Sequence, residues 1–368
     1  MTWWTVYLAV WLAATLAGLA LTACFRRWAS TLGFLDRPGA ETHKRHARSI
    51  PLLGGPAMFL AMSAVLFGGL LLAAGLFRGN AETRIAPHLP GAMASLGRLA
   101  IIVGGAGAML ILGLVDDRRP LRASHKIIVQ IAICGLVAAF GVRITAFIPH
   151  PLVNWLITLF WMLLVVNAIN IFDNMDGMAG GCGLTAALLF FLIAALQEQY
   201  FVALLAAALG GSVLGFLYFN WPPARIFMGD SGSHFLGYML AVLGALTTYY
   251  SPTRANTSAA LLIPLLILAL PIFDLFAVVL LRLRQGTPIY QGDNQHISHR
   301  FRMLGLSRGQ TAAVVHLLGL AVGAGALPLL WLPARAAVVV FLQAGAMLAL
   351  VSILHAIHIR QQTGESNE

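Results

Sequence analysis

The stretch Asn167-Ala168-Ile169-Asn170-Ile171-Phe172-Asp173-Asn174-Met175-Asp176-Gly177-Met178-Ala179-Gly180-Gly181 lies between two apolar runs, Trp155 to Val166 and Leu184 to Leu196. Such runs flanking a polar hinge suit two membrane helices joined at an aqueous surface, because a chain in lipid must satisfy its backbone within helices. Inside the hinge, Asp173 and Asp176 are three residues apart and would share one face of a helical turn. Paired carboxylates repel unless a divalent cation or a shared proton lies between them. The glycines beside them let backbone come close to a ligand. Taken alone, the stretch reads equally well as a polar turn between two helices.

The same alternation continues along the chain. Of 368 residues, 59% are apolar and only 10% charged, and the mean hydropathy is +0.84. Soluble proteins carry about 25% charged residues. Apolar runs predict about eleven transmembrane helices, near 3–24, 52–77, 99–115, 127–142, 153–169, 182–197, 200–219, 233–250, 258–281, 311–331 and 335–357. The expected fold is therefore all-α, a polytopic integral membrane helical bundle. Residues 1–360 form one membrane catalytic domain and 361–368 a polar, disordered tail. The formal charge of +10 points to an anionic leaflet and anionic substrates. No basic helix or RNA-binding motif accompanies it, so nucleic acid is not an expected partner. Cys24, Cys134 and Cys182 show no metal-ligand spacing and read as small buried hydrophobes. Leu21 to Cys24 looks like a lipoprotein processing box, but Arg26 and Arg27 follow the apolar run instead of preceding it, so Trp3 to Cys24 reads as a retained helix.

Lys and Arg set the expected orientation. Seventeen of the 23 fall in one set of alternate loops and the tail, and six in the opposite set. The heavy side is read as cytoplasmic, with the N-terminus out and the C-terminus in. Asp36, Asp116, Asp117, Asp173, Asp176, Asp230 and Asp293 all lie in or beside loops of that side, and Asp274 lies about two turns inside the ninth helix. Segregated acids argue for one cytoplasmic active-site cleft.

Each loop keeps two readings open. Lys44, Arg45 and His46 form a basic cluster that could grip a pyrophosphate or simply anchor the inner face. Asp116 and Asp117 at a helix end could ligate a metal or supply a base, or be neutralised by Arg118 and Arg119. Asp230, in Met228-Gly229-Asp230-Ser231-Gly232-Ser233, stands at a helix start suited to a phosphate or a cap. Phe227 could stack on a base or belong to the core. His296 and His299 lack a third local zinc ligand and, beside Arg300, suit anionic oxygen. Asp274 could pair with Arg282 or Lys126, or act as a ligand.

Taken in order, D-R-P…K-R-H…P-L-L-G-G, G-L-V-D-D…K…Q, N-A-I-N-I-F-D-N-M-D-G, F-N…F-M-G-D-S-G-S, P-I-F-D and H-I-S-H-R resemble the polyprenyl-phosphate N-acetylhexosamine-1-phosphate transferases (glycosyltransferase family 4). Each piece is weak alone; together they span Asp36 to Arg300. The resemblance implies transfer of a HexNAc-1-phosphate from a UDP-sugar to undecaprenyl or another polyprenyl phosphate. Polyprenyl-pyrophosphoryl-HexNAc and UMP would be the products, in a first membrane step of cell-surface glycan synthesis. It implies Mg²⁺, with Mn²⁺ as a substitute, a bacterial cytoplasmic (inner) membrane location, and compatibility with a homodimer. By motif, Asp116 would deprotonate or orient the lipid phosphate with support from Asp117. Asp230, with Asp173 or Asp176, would hold the metal or position the nucleotide. Asn220 and Phe227 would contact uracil, and His296, His299 and Arg300 the pyrophosphate and sugar. Lys44, His46, Lys126, Asn167 and Asn170 join the substrate-binding set.

Two departures bear on this. Asn174 stands where many members have Gly. H-I-S-H-R replaces the three consecutive histidines of the muramoyl-pentapeptide branch, which favours UDP-GlcNAc or a related UDP-HexNAc over phospho-N-acetylmuramoyl-pentapeptide transfer. An ion- or proton-coupled transporter would need ionisable residues near the midplane, where only Asp274 comes close. A CDP-alcohol phosphotransferase would need Arg where Gly180 stands.

Overall fold

A computed structural model gives the architecture and describes residues 2–36, 49–76, 86–144, 150–249, 258–288 and 296–365. The helices are α1 (Trp3–Leu32), α2 (Gly54–Leu76), α3 (Leu89–Ala94), α4 (Leu96–Arg118), α5 (Ala123–Ala139), α6 (Pro151–Phe172), α7 (Met178–Leu196), α8 (Tyr200–Asn220), α9 (Gly229–Leu246), α10 (Ile263–Ile267), α11 (Ala269–Gln285), α12 (Ile297–Met303), α13 (Arg308–Ala324) and α14 (Ala334–Glu365). Two short strands, β1 (Leu35–Asp36) and β2 (Ile50–Pro51), pair antiparallel.

The helix ends follow local chemistry. Pro151 opens α6, where a missing N–H costs nothing. Pro222 and Pro223 follow the end of α8. Ser307 and Gln310 form a reciprocal capping box at the start of α13. α1 runs eight residues beyond Cys24 because its end is held from outside: Arg118 Nη2 donates to the Leu32 carbonyl at 3.1 Å.

Among the described residues, seven helices are long and apolar enough to cross a membrane, or eight when α10 and α11 count as one bent span. Exposed Leu8, Leu12 and Leu16 on α1, Leu71 and Leu72 on α2, and Leu156 and Phe160 on α6 give the bundle an apolar exterior suited to lipid. The chain is a polytopic all-α membrane protein. The expected ninth span, 258–281, is not one straight helix. It breaks at Leu268 with a bend of 67° between its halves, and Pro264 and Pro271 stand on either side of the break. The other expected spans coincide with α5, α9 and α14. α5 has only 17 residues, α9 opens on the polar run Gly229–His234, and the backbone of α14 continues to Glu365, through most of the expected tail.

The polar opening of α9 is tolerated because this helix sits at the centre. Every residue from Ser231 to Ala245 is buried, and α2, α4, α6, α7 and α8 pack around it. Two anchors fix its rotation: Trp161 Nε1 donates to the Ala241 carbonyl at 3.0 Å, and the Tyr238 hydroxyl donates to the Ile102 carbonyl at 3.2 Å. At its first turn the neighbours come closer than side chains permit. A Cβ on Gly113 of α4 would lie 2.3 Å from Ser231 Cα, and one on Gly55 of α2 would lie 2.4 Å from the Gly232 nitrogen. Backbone hydrogen bonds from Gly54 N to the Phe227 carbonyl (3.0 Å) and from Phe227 N to the Pro51 carbonyl (2.8 Å) tie the segment entering α2 to the one entering α9.

Gly113→Ala is predicted to force these backbones apart and cost about 1–3 kcal/mol, the usual range for overpacking. Gly104→Ala, with nothing within 4 Å of the added methyl, is predicted to be neutral. Equal melting temperatures for the two variants in detergent would contradict this packing.

Candidate active site

The site is built on the first turn of α9. Its free N–H groups face the end of α4, where Asp117 accepts two of them: Asp230 N donates to Oδ1 at 2.7 Å and Ser231 N to Oδ2 at 3.1 Å. Asp117 is therefore a helix cap supplied by another helix, with both oxygens engaged. Adjacent residues on a helix do not face the same way, so Asp116 turns elsewhere. Its Oδ1 accepts from Leu121 N at 2.6 Å and its Oδ2 from the Lys126 ammonium. The same ammonium donates to Asp230 Oδ2 at 3.1 Å. Lys126 thus bridges a carboxylate from α4 and one from α9. Asn170 of α6 completes the cluster, donating from Nδ2 to Asp230 Oδ1 at 3.0 Å and to Ser233 Oγ at 2.9 Å. Asn167, one turn earlier, donates to Gln130 Oε1 and to the Leu163 carbonyl, both at 2.8 Å, and so joins α5 to α6.

The loop between α6 and α7 brings two more acids. The sequence places Asp173 and Asp176 on one helical turn. In the structure Asp173 ends α6 and Asp176 lies in the turn beyond it, so their roles diverge. Asp176 Oδ2 accepts from Ala224 N at 3.1 Å and lies 3.7 Å from Arg308 Nη1. Asp173 accepts no side-chain hydrogen bond from the described residues. It is half-buried beside other acids, and desolvation, then the charges of Asp230, Asp117 and Asp176, push its carboxyl up to about 8. The left-handed position of the loop falls on Gly177, at φ +75°, and not on Asn174. Asn174 instead accepts a hydrogen bond at 2.5 Å from Ser298 Oγ of α12, which docks the histidine loop against the aspartate loop.

Asn220 is 3% exposed and spends both ends of its amide internally, accepting from Gly177 N at 3.0 Å and donating to the Ile226 carbonyl at 2.8 Å. It braces the two loops. Phe227 is half-buried beside the α9 entry. Asp274 makes its hydrogen bonds to the segment that opens α12. It lies next to α12, where Oδ2 sits 2.8 Å from His296 Nδ1 and Oδ1 accepts from Ile297 N at 2.8 Å. His299 and Arg300 follow on the same short helix, half-buried, with the two histidine rings 6.3 Å apart. Lys44 and His46 lie outside the described residues.

Asp116, Lys126, Asn170 and Asp230 are thus in direct contact, Asp117 holds them from behind, and Asp173 faces them. Sequence reasoning quoted Gln130, Ser233 and Ser298 only within motifs, outside the candidate set, and passed over His234. His234 is 1% exposed and its Nδ1 lies 2.6 Å from the Asp230 carbonyl oxygen, one turn along α9. That i,i+4 spacing was the available signal.

The arrangement suits a hard divalent cation. Among the described residues, Asp116 and Asp230 share one ammonium, Asp117 is held by backbone N–H groups and Asp173 lacks a donor. No group of three or more His, Cys, Asp or Glu that could hold a metal ion stands among the described residues. Mg²⁺ typically takes one or two carboxylates and completes its shell with water and substrate phosphates, so Asp173 and Asp230 fit it.

A membrane bundle whose acids gather at one end defines the class, and the chain belongs to glycosyl transferase family 4. That family's profile matches residues 99–248, from α4 to the end of α9. The chain is 31% identical over 309 residues to a probable undecaprenyl-phosphate N-acetylglucosaminyl 1-phosphate transferase of Bacillus subtilis (strain 168), covering 82% of this chain and 78% of that one. It is 33% identical over 335 residues to the decaprenyl-phosphate N-acetylglucosaminephosphotransferase of Mycobacterium tuberculosis (strain ATCC 25618 / H37Rv), covering 84% and 78%. To the undecaprenyl-phosphate alpha-N-acetylglucosaminyl 1-phosphate transferase of Escherichia coli (strain K12) it is 24% identical over 305 residues, covering 79% and 75%.

Asp117 and Asp173 are predicted to behave oppositely. Asp117→Ala removes a cap and costs about 1–2 kcal/mol. Asp173 in the folded chain holds a proton that the unfolded chain releases near pH 4, so its contribution to stability is present at low pH and lost as pH climbs through about 8. In the presence of a chelator, Asp173→Asn should therefore lose less stability than wild type between pH 5 and 8.5. Parallel melting profiles for the two would refute this reading of Asp173.

Proposed function

We propose that this protein transfers N-acetylglucosamine 1-phosphate from UDP-GlcNAc to a polyprenyl phosphate, releasing UMP, at the cytoplasmic face of a bacterial inner membrane. The observation that carries the reading is the Asp116–Lys126–Asp230 bridge, drawn from three chain segments to one end of a membrane bundle. The activities for which the relatives are named suggest the acceptor and the sugar. The excess of Lys and Arg in the loops of that end supports its cytoplasmic placement.

In the proposed reaction an oxygen of the lipid phosphate attacks the β-phosphorus of the donor. The new P–O bond forms as the bond from the β-phosphorus to the bridging oxygen breaks, and UMP leaves with that electron pair. Such transfers depend on charge neutralisation and alignment more than on covalent chemistry. Mg²⁺ held by Asp173 and Asp230 would neutralise the donor pyrophosphate when bound. Lys126 is a cation held between two carboxylates, so its ammonium would pass to an incoming phosphate oxygen and neutralise the acceptor. That passage frees Asp116 Oδ2 to take the acceptor's proton or to orient its attacking oxygen, while Leu121 N holds Oδ1 in place. Asp117 acts through position, by keeping α9 in register. Phe227 stacks on uracil, and Asn220 shapes the loop that carries it. His296, oriented by Asp274, and Arg300 hold the donor's phosphate and sugar.

Purified protein given polyprenyl phosphate and a panel of UDP-HexNAc donors should form lipid-linked GlcNAc and stoichiometric UMP from UDP-GlcNAc. Transfer from another UDP-HexNAc alone would overturn the sugar, and transfer from none would overturn the class. Asp116→Asn is expected to lower kcat by more than about 100-fold while UDP-GlcNAc binding stays within a few-fold. Near-normal turnover would remove Asp116 from this role.

Because a cation must displace the proton that Asp173 holds below about pH 8, the KM for Mg²⁺ should fall as pH rises from 6 to 8.5 and then level. A flat KM over that range would exclude Asp173 as a ligand.

A further inference from the structure

Arg26 of α1 and Arg225 of the loop between α8 and α9 lie far apart in sequence and meet at one aromatic ring. The Arg26 guanidinium carbon lies 5.2 Å from the centre of the Phe219 ring, and that of Arg225 lies 5.3 Å from it. Arg225 also lies 5.2 Å from the Tyr218 ring. It is pinned there, with Nη2 donating to the Tyr218 carbonyl at 3.1 Å and its backbone N–H to the Phe219 carbonyl at 2.8 Å. Neither arginine forms an ion pair with a carboxylate among the described residues. Elsewhere at this end of the bundle Lys126 and Arg308 each face an acid. Here two cations are drawn to one ring, which attracts each of them, and no carboxylate among the described residues pairs with either.

The surroundings indicate what would pair with them. Tyr218 is 61% exposed, and Trp28 and Trp221 are exposed at the same ends of α1 and α8. Amphipathic rings of this kind sit at the headgroup level of a bilayer. Guanidinium forks match phosphate oxygens in geometry as well as charge. We propose that Arg26 and Arg225 bind the phosphate of an anionic phospholipid at the junction of α1 and α8, a site distinct from the reactive acids. Phospholipid is favoured over soluble phosphate because the arginines are bordered by exposed aromatic side chains of the kind that sits at the headgroup level of a bilayer. The site also has a route inward. Arg225 belongs to the loop whose Ala224 N–H is held by Asp176 and whose base is fixed by Asn220. A headgroup that neutralises both arginines would steady residues 221–228 and hence the entry to α9.

The test uses the full chain, purified in neutral detergent and delipidated. Native mass spectrometry would compare retention of phosphatidylglycerol with that of phosphatidylcholine. Wild type should prefer phosphatidylglycerol, and Arg26→Gln and Arg225→Gln should each reduce that preference about fivefold. Arg27→Gln removes a charge from the same turn of α1, at an exposed position with no contact to Phe219, and should leave the preference intact. Adding phosphatidylglycerol should slow hydrogen exchange in 221–228 of wild type, a readout that needs no variant to fold. No preference in wild type, an equal loss in Arg27→Gln, or displacement of the lipid by millimolar inorganic phosphate would overturn the proposal. None of these outcomes depends on which sugar is transferred.

Discussion

The backbones of α2 and α4 converge on the first turn of α9, and the site depends on that convergence. α2 and α4 reach it through Gly55 and Gly113, at distances where any side chain would collide with α9 backbone. Asp117 then supplies from α4 the acceptors that the first N–H groups of α9 lack within their own helix. Together these contacts fix the rotation and height of α4 against α9 to within a hydrogen bond. The positions of Asp116 and Asp230 follow from that register, because each sits one residue from a fixed point. A slip of one residue would turn Asp116 about 100° away from Lys126.

The electrostatics follow from the packing. Carboxylates from three helix ends are held together by capping and backbone contacts that do not require them to be neutral. Lys126 offsets part of the charge and Asn170 supplies a donor, yet Asp173 is left with neither. An acid so placed is a standing cost to the folded protein, and it is relieved when a cation or a cation-bearing substrate arrives. On the proposed function, that would favour phosphate esters accompanied by a divalent ion. It also explains why the polar cluster lies at one end of the bundle, where substrate phosphates at a bilayer surface can reach it.

Much of this was legible in the sequence. The segregation of Asp116, Asp117, Asp173, Asp176 and Asp230 into alternate loops needed only hydropathy and charge, and the structure brings those loops to one end. The division of labour among the acids was not legible. Asp116 and Asp117 are identical neighbours, and only the approach of α9 makes one a cap and leaves the other facing Lys126. Asp173 and Asp176 have helical spacing, but the helix stops between them. The bond from Ser298 to Asn174 and the placement of Asp274 beside His296 join residues more than twenty positions apart, and no local pattern encodes them. The bend at Leu268 was foreshadowed by Pro264 and Pro271, but its 67° angle depends on tertiary packing.

The central claim is that carboxylates from separate helices form one cation site. It is tested most directly by electron paramagnetic resonance of Mn²⁺ titrated into the full-length protein without substrate. The account predicts one bound ion per chain in wild type. Asp173→Asn and Asp230→Asn should each abolish tight binding, with no further loss in the double variant. Two independent sites, each surviving loss of the other's carboxylate, would contradict it.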